Sequence, residues 1–377
     1  MHIKTGNIVK IFALVAVVSS CRVLIYNVPD ISDEKIFPYR VIKNDPDSVF
    51  YFKKSSTTKD LGKEIVVDYN TLIPDVITLD QYVENSKTAA LLVIRNDTIK
   101  YERYTGDYNE SSIYNIFSAT KIFITTLVGI AINEGKITGA DQVITDYLPE
   151  LKGKKGFDQI TIRHLLLHTS GIKFSESRFN PFSDNAKYYY GRNLRKLALK
   201  SELSESPGLA THYCSANVQL LAMILERATG MTLSSYLQDK LWKRIGMQYE
   251  ATWSLDNKRK DPVEKAFSNI NCTAVDMAKI GRLYLNFGSW GPDQILSKDF
   301  ICEATSRDTT DGSCRDFQYN IRFDPMQDDY YYSRGLYGQL IFIYPKKNII
   351  VVRVGEKDLK YNPTFMNRII LQIVDQI

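Results

Sequence analysis

The chain has 377 residues, of which 44% are hydrophobic and 24% charged, and a formal net charge of +5. That length and composition suit one large globular domain or two and exclude a disordered or fibrous chain. Basic and acidic residues alternate without a basic stripe, so nucleic acid is not an expected partner.

Residues 1–20 stand apart. "MHIKTGNIVK" carries two lysines and runs into "IFALVAVV", an apolar segment too short to span a bilayer. This is the shape of a secretory signal peptide. It ends in "VSSC", which resembles the lipobox of bacterial lipoproteins. The resemblance implies cleavage before Cys21, acylation of Cys21 and export to the bacterial cell envelope, with the membrane as a partner through the lipid. The same residues also fit an ordinary signal peptide with an incidental cysteine. Residues 21–75 read as a tether and a loosely ordered lead-in, and residues 76–377 as the working domain.

"AALLVIRNDTIKYERYTG" predicts two strands around an Asn-Asp turn. "YNIFSATKIFITTLVGIAINEG" predicts a polar turn leading into an apolar helix that stops at Gly135. The middle, about residues 156–265, is mainly helical and reads as an inserted subdomain. "ITIRHLLLHTSGI" predicts a short helix ended by Gly171, and "SANVQLLAMILERATG" a longer one stopped by Gly230. Further helices follow in "TLSSYLQDKLWKRIGM" and "CTAVDMAKIGRLYLNFG". "LYGQLIFIYP" and "NIIVVRVG" flank a lysine pair as a hairpin, and a helix over about 363–376 ends the chain. Strands at both ends and helices between predict an α/β (α+β) fold: an antiparallel sheet built from both termini, flanked by helices.

Chemistry concentrates at Ser118 and Lys121. Residues three apart share a helix face, so the amine lies beside the hydroxyl. A serine attacks only when a base takes its proton. Apolar neighbours such as Ile122 and Phe123 favour the neutral form of an amine, the form that accepts a proton. The spacing recurs at Ser56–Lys59 and Ser170–Lys173, but of these three pairs only Ser118–Lys121 opens a long apolar helix. An N-capping serine and a snorkelling lysine fit the same pattern. "HYCSANVQLLAMILE" adds Tyr213, a candidate phenolate near Ser118, and Ser215, a candidate partner of Lys121. Gly338 in "RGLYGQLIFIYP" permits close approach of an acyl group to a strand.

Together "FSATK", "ITIRHLLLHTSGI", "HYCSANVQLLAMILERATGMTLSSYLQDKLWKRIGM" and "NINCTAVDMAKIGRLYLNFGSW" resemble the serine beta-lactamase-like hydrolases. That family spans class C beta-lactamases, D-Ala-D-Ala carboxypeptidases, esterases and 6-aminohexanoate-oligomer hydrolases. The resemblance covers about residues 80–356, and "EATWSLD" leans toward the aminohexanoate-hydrolase branch. It implies Ser118 as nucleophile, Lys121 as its base partner and Tyr213 as general acid/base, with Ser215 where the family often has asparagine. The third motif departs from the family: Leu336-Tyr337-Gly338 stands where a Lys or His begins the usual triplet. Gly338 is kept, and the N–H groups of Ser118 and Gln339 would form the oxyanion hole. Loss of the cation implies neutral esters or amides, with Tyr337 as an aromatic wall, in preference to carboxylate-bearing substrates. Arg334 is the residue that would restore a cation at the rim.

The expected activity is therefore hydrolysis of a small-molecule ester or amide through an acyl-enzyme, with no cofactor. A cell-wall D-amino-acid peptidase or beta-lactamase is the alternative within enzymes. A non-catalytic ligand-binding module on the same fold is the alternative outside them. His164 and His168 lie four apart but lack the glutamate of H-E-x-x-H and a third ligand, so no metal is expected. His212 next to Tyr213 fits either the site or the surface. The clusters Tyr188–Tyr190 and Tyr330–Tyr332 fit either a pocket rim or plain packing. Cys214, Cys272, Cys302 and Cys314 contain no C-x-x-C pair, which argues against zinc. The pairing of Cys302 with Cys314 stays open, as does the oligomeric state.

Overall fold

The computed structural model describes residues 28–55, 61–62, 64–67, 75–259, 261–307, 317–324, 327–357 and 363–377, together with Tyr26. The signal-like segment, Cys21 and Cys314 lie outside the described residues.

Strands are numbered along the chain. β1 (Tyr39–Ile42) and β2 (Lys53–Lys54) come first, then the short pair β3 (Ile65–Val67) and β4 (Asp75–Ile77). β5 (Thr88–Arg95), β6 (Thr98–Tyr104) and β7 (Tyr114–Asn115) precede the helical middle. β8 (Ala251–Ser254), β9 (Ile270–Cys272) and the ribbon of β10 (Ser289–Trp290) and β11 (Asp293–Gln294) follow it. β12 (Phe317–Gln318), β13 (Ile321–Asp324), β14 (Gln327–Arg334), β15 (Leu340–Tyr344) and β16 (Ile349–Gly355) complete the set.

The main sheet has eight strands in the order β12-β13-β14-β15-β16-β5-β6-β2. Its pairs are antiparallel except β2 with β6. N-terminal β5 lies against C-terminal β16, so the sheet is built from both ends of the chain as the sequence predicts. Period-two alternation sorts β5. Ala90, Leu92 and Ile94 join the core that the middle helices share, while Leu91 and Val93 pack on the other face. That other face is covered by helices Leu79–Asn85 and Pro363–Val374, through Leu79, Val83, Ile369 and Ile373. The Asn96-Asp97 turn joins β5 to β6 with both residues at positive φ, as a two-residue hairpin requires.

Helix Lys121–Asn133 is apolar all round, and its Lys121–Ala131 stretch is buried. A helix without a polar stripe belongs in the interior. It packs against helix Ser215–Thr229 on one side and carries the candidate site at its first turn. Gly129 lets it approach helix Lys298–Thr305: a Cβ there would lie 2.6 Å from the Phe300 ring.

Two segments depart from the sequence reading. The helix in "ITIRHLLLHTSGI" runs only over Ile162–Leu166, and His168 rather than Gly171 first takes a left-handed conformation, at φ 58°. The His168 ring is held by two partners described below, which fixes the break early. In the stretch read as a lead-in, β1 pairs with β8 and β2 with β6.

Gly129→Ala should therefore overpack the helix contact and cost about 1–3 kcal/mol. Gly139→Ala, where nothing lies within 4 Å of the added methyl, should change stability by less than about 0.5 kcal/mol. Urea unfolding of the two variants checks this, and equal midpoints would contradict it.

Candidate active site

The sequence between β7 and helix Lys121–Asn133 shapes the nucleophile turn. Asn115 Oδ1 accepts the Phe117 N–H at 2.9 Å, and Phe117 takes φ 46°, a conformation rare for a bulky side chain. Ser118 then sits in a 3₁₀ turn over Phe117–Thr120, and the α-helix begins at Lys121. The helix start thus falls three residues later than the serine. Lys121 is buried, and its Nζ donates to Ser118 Oγ at 3.2 Å and to the Phe267 carbonyl at 2.7 Å. Its amine also lies 4.9 Å from the centroid of the Tyr213 ring.

Tyr213 is placed by its neighbours. The His168 ring stacks on it at 4.9 Å, and Phe317 meets it edge-on at 5.7 Å. His168 Nδ1 accepts the Cys214 N–H at 3.0 Å, so its Nε2 carries the proton and donates to Asn320 Oδ1 at 2.9 Å. Burial, with Lys121 nearby as a second cause, pushes the His168 imidazole down to about 3. It is a neutral ring that fixes the Tyr213–Cys214 backbone. His164 instead faces Thr161 in a helix cap, and His212 is exposed beside Glu205 at 3.2 Å, outside the cavity lining. The two histidines of "HLLLH" therefore serve different partners.

A cavity of about 580 Å³ opens over Ser118. Ser118, Tyr213, Ser215, Tyr337 and Gly338 all line it. Gly335 makes this arrangement possible: a Cβ on it would lie 2.3 Å from the Ile116 carbonyl and 3.1 Å from the Ser118 nitrogen. Tyr337 takes φ 60°, stands edge-on to Phe117 at 5.4 Å and donates its hydroxyl proton to the Pro29 carbonyl. Pro29, from the expected lead-in, is thereby part of the cavity wall.

Gln339 does not join them. The chain turns over Leu336–Gly338, and Gln339 is buried behind the turn, with its N–H directed at the Leu336 carbonyl at 3.4 Å. Its side chain donates to the carbonyls of Asn115 and Gly355 and accepts the Gly355 N–H at 2.7 Å. Gln339 thus ties β7 to β16 instead of facing an oxyanion. The backbone beside Ser118 is that of Gly335.

Ser215 meets a residue that sequence reasoning missed. Its N–H donates to Glu176 Oε1 at 2.5 Å, and Asn185 Nδ2 donates to Glu176 Oε2 at 2.9 Å. Burial raises the Glu176 carboxyl above its usual range, partly offset by the Lys121 charge. Glu176 lies in an aperiodic loop, where a single acidic residue carries no signal. Arg322 also went unnoticed. It lines the cavity together with Arg334 and Arg178, and its guanidinium lies 5.3 Å from the Tyr213 ring centroid. The tyrosine clusters divide: Tyr189 reaches the cavity lining, whereas Tyr330–Tyr332 are buried in packing.

A serine and an amine in contact ahead of a helix, with a tyrosine in the same cavity, fit a serine hydrolase that works without histidine. The Beta-lactamase family model matches residues 78–369, and the chain belongs to that family. It is 25% identical over 319 residues to the 6-aminohexanoate-dimer hydrolase of Paenarthrobacter ureafaciens, covering 78% of each chain. It is 27% identical over 181 residues to esterase EstB of Burkholderia gladioli, covering 42% of this chain and 45% of that one. A Bacillus anthracis structure provisionally named a 6-aminohexanoate-dimer hydrolase superposes with a TM-score of 0.80 at 21% identity, covering 91% and 92% of the two chains. The protein is thus a beta-lactamase-related serine hydrolase.

The His168 shift sets a pH dependence. Its folded value is depressed, so its contribution to stability is present above the ordinary value near 6.5 and is lost as pH falls toward about 3. Between those limits one such group steepens the loss by up to about 1.4 kcal/mol per pH unit. Denaturant unfolding of wild type and His168→Asn at pH 7 and pH 5 reads this term. The variant should lose less stability than wild type on acidification, and identical losses would contradict the assignment.

Proposed function

We propose that the protein cleaves an ester or amide through an acyl-enzyme on Ser118. The observation that carries this is the Lys121 amine, 3.2 Å from the Ser118 hydroxyl in a cavity shared with Tyr213. Acting as the base, Lys121 keeps one N–H on the Phe267 carbonyl and receives the Ser118 proton. Ser118 Oγ attacks the carbonyl carbon. The oxyanion is met by the Ser118 N–H, beside the backbone that Gly335 brings alongside. Tyr213 delivers a proton to the leaving group, which departs and leaves the acyl-enzyme. Water attacks the acyl carbon and gives its proton to Tyr213, the proton held on Lys121 returns to Ser118 Oγ as the acyl bond breaks, and the acid leaves. The relatives named for 6-aminohexanoate-dimer hydrolysis and for esterase activity support a short acyl ester or amide.

A fluorophosphonate probe should label Ser118, and Ser118→Ala should abolish both labelling and turnover of a short acyl ester. Lys121→Ala should cut kcat/KM by about 10²–10⁴. Full-rate labelling of Ser118→Ala would place the nucleophile elsewhere.

We also propose export and acylation at Cys21, on the strength of "VSSC" after the short apolar run. Two or more acyl chains anchor stably where one does not. Mass spectrometry of the mature N-terminus should find a lipid-modified Cys21; an unmodified residue upstream of it would refute the proposal.

A further inference from the structure

The cavity over Ser118 holds more positive charge than its chemistry needs. Arg322 opposes Tyr332 in the β13–β14 register, two residues before Arg334. The pleat therefore sends both arginines from the same face of the hairpin, as diagonal neighbours about 7–8 Å apart at the backbone. Both reach the cavity lining. Arg322 lies against aromatic faces, 5.3 Å from Tyr213 and 5.0 Å from Phe317. Among the described residues neither guanidinium has a carboxylate partner. The cavity's own carboxylate, Glu176, is occupied by the Ser215 N–H and the Asn185 amide. Burial and the neighbouring charge of Arg322 both press the Arg334 guanidinium below its usual value. Two half-buried cations held side by side are unfavourable until an anion joins them.

We infer that Arg322 and Arg334 form a binding site for a carboxylate on the leaving-group side of the substrate. The side follows from two placements. Arg322 stacks on Tyr213, the group that hands a proton to the leaving group, and Arg334 directly precedes Gly335, which abuts the Ser118 nitrogen. A planar carboxylate matches the fork of a guanidinium and takes paired, charge-assisted hydrogen bonds. The cation absent from Leu336-Tyr337-Gly338 is thus supplied from β13 and from the end of β14. Carboxylate-bearing substrates are preferred, the reverse of what that triplet alone implies. This inference rests on the assignment of Ser118 and Tyr213 above.

The test compares 3-acetoxybenzoate with methyl 3-acetoxybenzoate, which differ only in the leaving-group carboxylate. Wild type should show a kcat/KM ratio favouring the carboxylate by about tenfold or more. Arg322→Gln and Arg334→Gln should each lower that ratio by about 10- to 150-fold, the scale of a lost charged hydrogen bond. Arg334→Lys should retain part of the preference. Calorimetric binding of 3-hydroxybenzoate and of its methyl ester gives the same comparison without turnover. A wild type that takes or binds the methyl form equally well overturns the inference, as does a ratio unmoved in both glutamine variants. Turnover of the methyl ester that survives Ser118→Ala refutes the nucleophile assignment instead, and leaves the binding comparison to decide the arginines.

Discussion

The Lys121 amine, buried and hydrogen-bonded only to uncharged groups, constrains everything around it. Its two hydrogen bonds go to a hydroxyl and to a backbone carbonyl, neither of which carries charge. The face of the Tyr213 ring lies 4.9 Å from the amine. The surrounding architecture holds the arrangement from four directions. Helix Lys121–Asn133 fixes the amine, the Phe267 loop supplies the acceptor, helix Ser215–Thr229 presents Tyr213 at its start, and the end of β14 closes over Ser118. Each of these elements packs into one apolar core, so the position of the amine is set by the fold as a whole.

Polar groups that take no part in the chemistry carry much of this positioning. His168, kept neutral by burial, ties the Tyr213–Cys214 backbone to Asn320. Gln339 ties β7, just ahead of the nucleophile turn, to the last strand of the sheet. Thr120 Oγ1 accepts the Ile270 N–H, anchoring the same turn to β9. Buried polar groups with complete hydrogen bonding specify one arrangement because any other leaves a donor or acceptor unpaired.

Much of this was legible in the residues. The alternation in "AALLVIRNDTIKYERYTG", the Asn-Asp turn and the largely apolar helix after Lys121 are local signals, and each element formed close to where it was expected. Ser118, Lys121 and Tyr213 converge as their motifs implied. What was not legible depends on register and on loops. Arg322 and Arg334 meet only because β13 and β14 pair with Arg322 opposite Tyr332, and nothing within either segment states that pairing. Glu176 lies in a segment without periodicity. Gln339 was misjudged because a positive φ at Tyr337 reverses the chain between Leu336 and Gly338, sending the next residue behind the turn. β1 escaped notice because four residues of "YRVI", with one buried, barely alternate.

The pairing of β5 with β16 has a consequence for how the molecule is made. Thr88 and Gly355 stand opposite one another in the finished sheet although nearly the whole domain lies between them in the chain. Loop closure over such a span is entropically costly and must come before the contacts that reward it. A chain emerging from the ribosome can form the β5–β6 hairpin and individual helices early. Helix Lys121–Asn133 has no finished sheet to bury it until the last strands arrive. The elements that carry Ser118 and Lys121 are therefore among the first to be synthesised and among the last to be enclosed. During that interval this largely apolar helix is exposed, and this is the stage at which the growing chain most needs protection from aggregation.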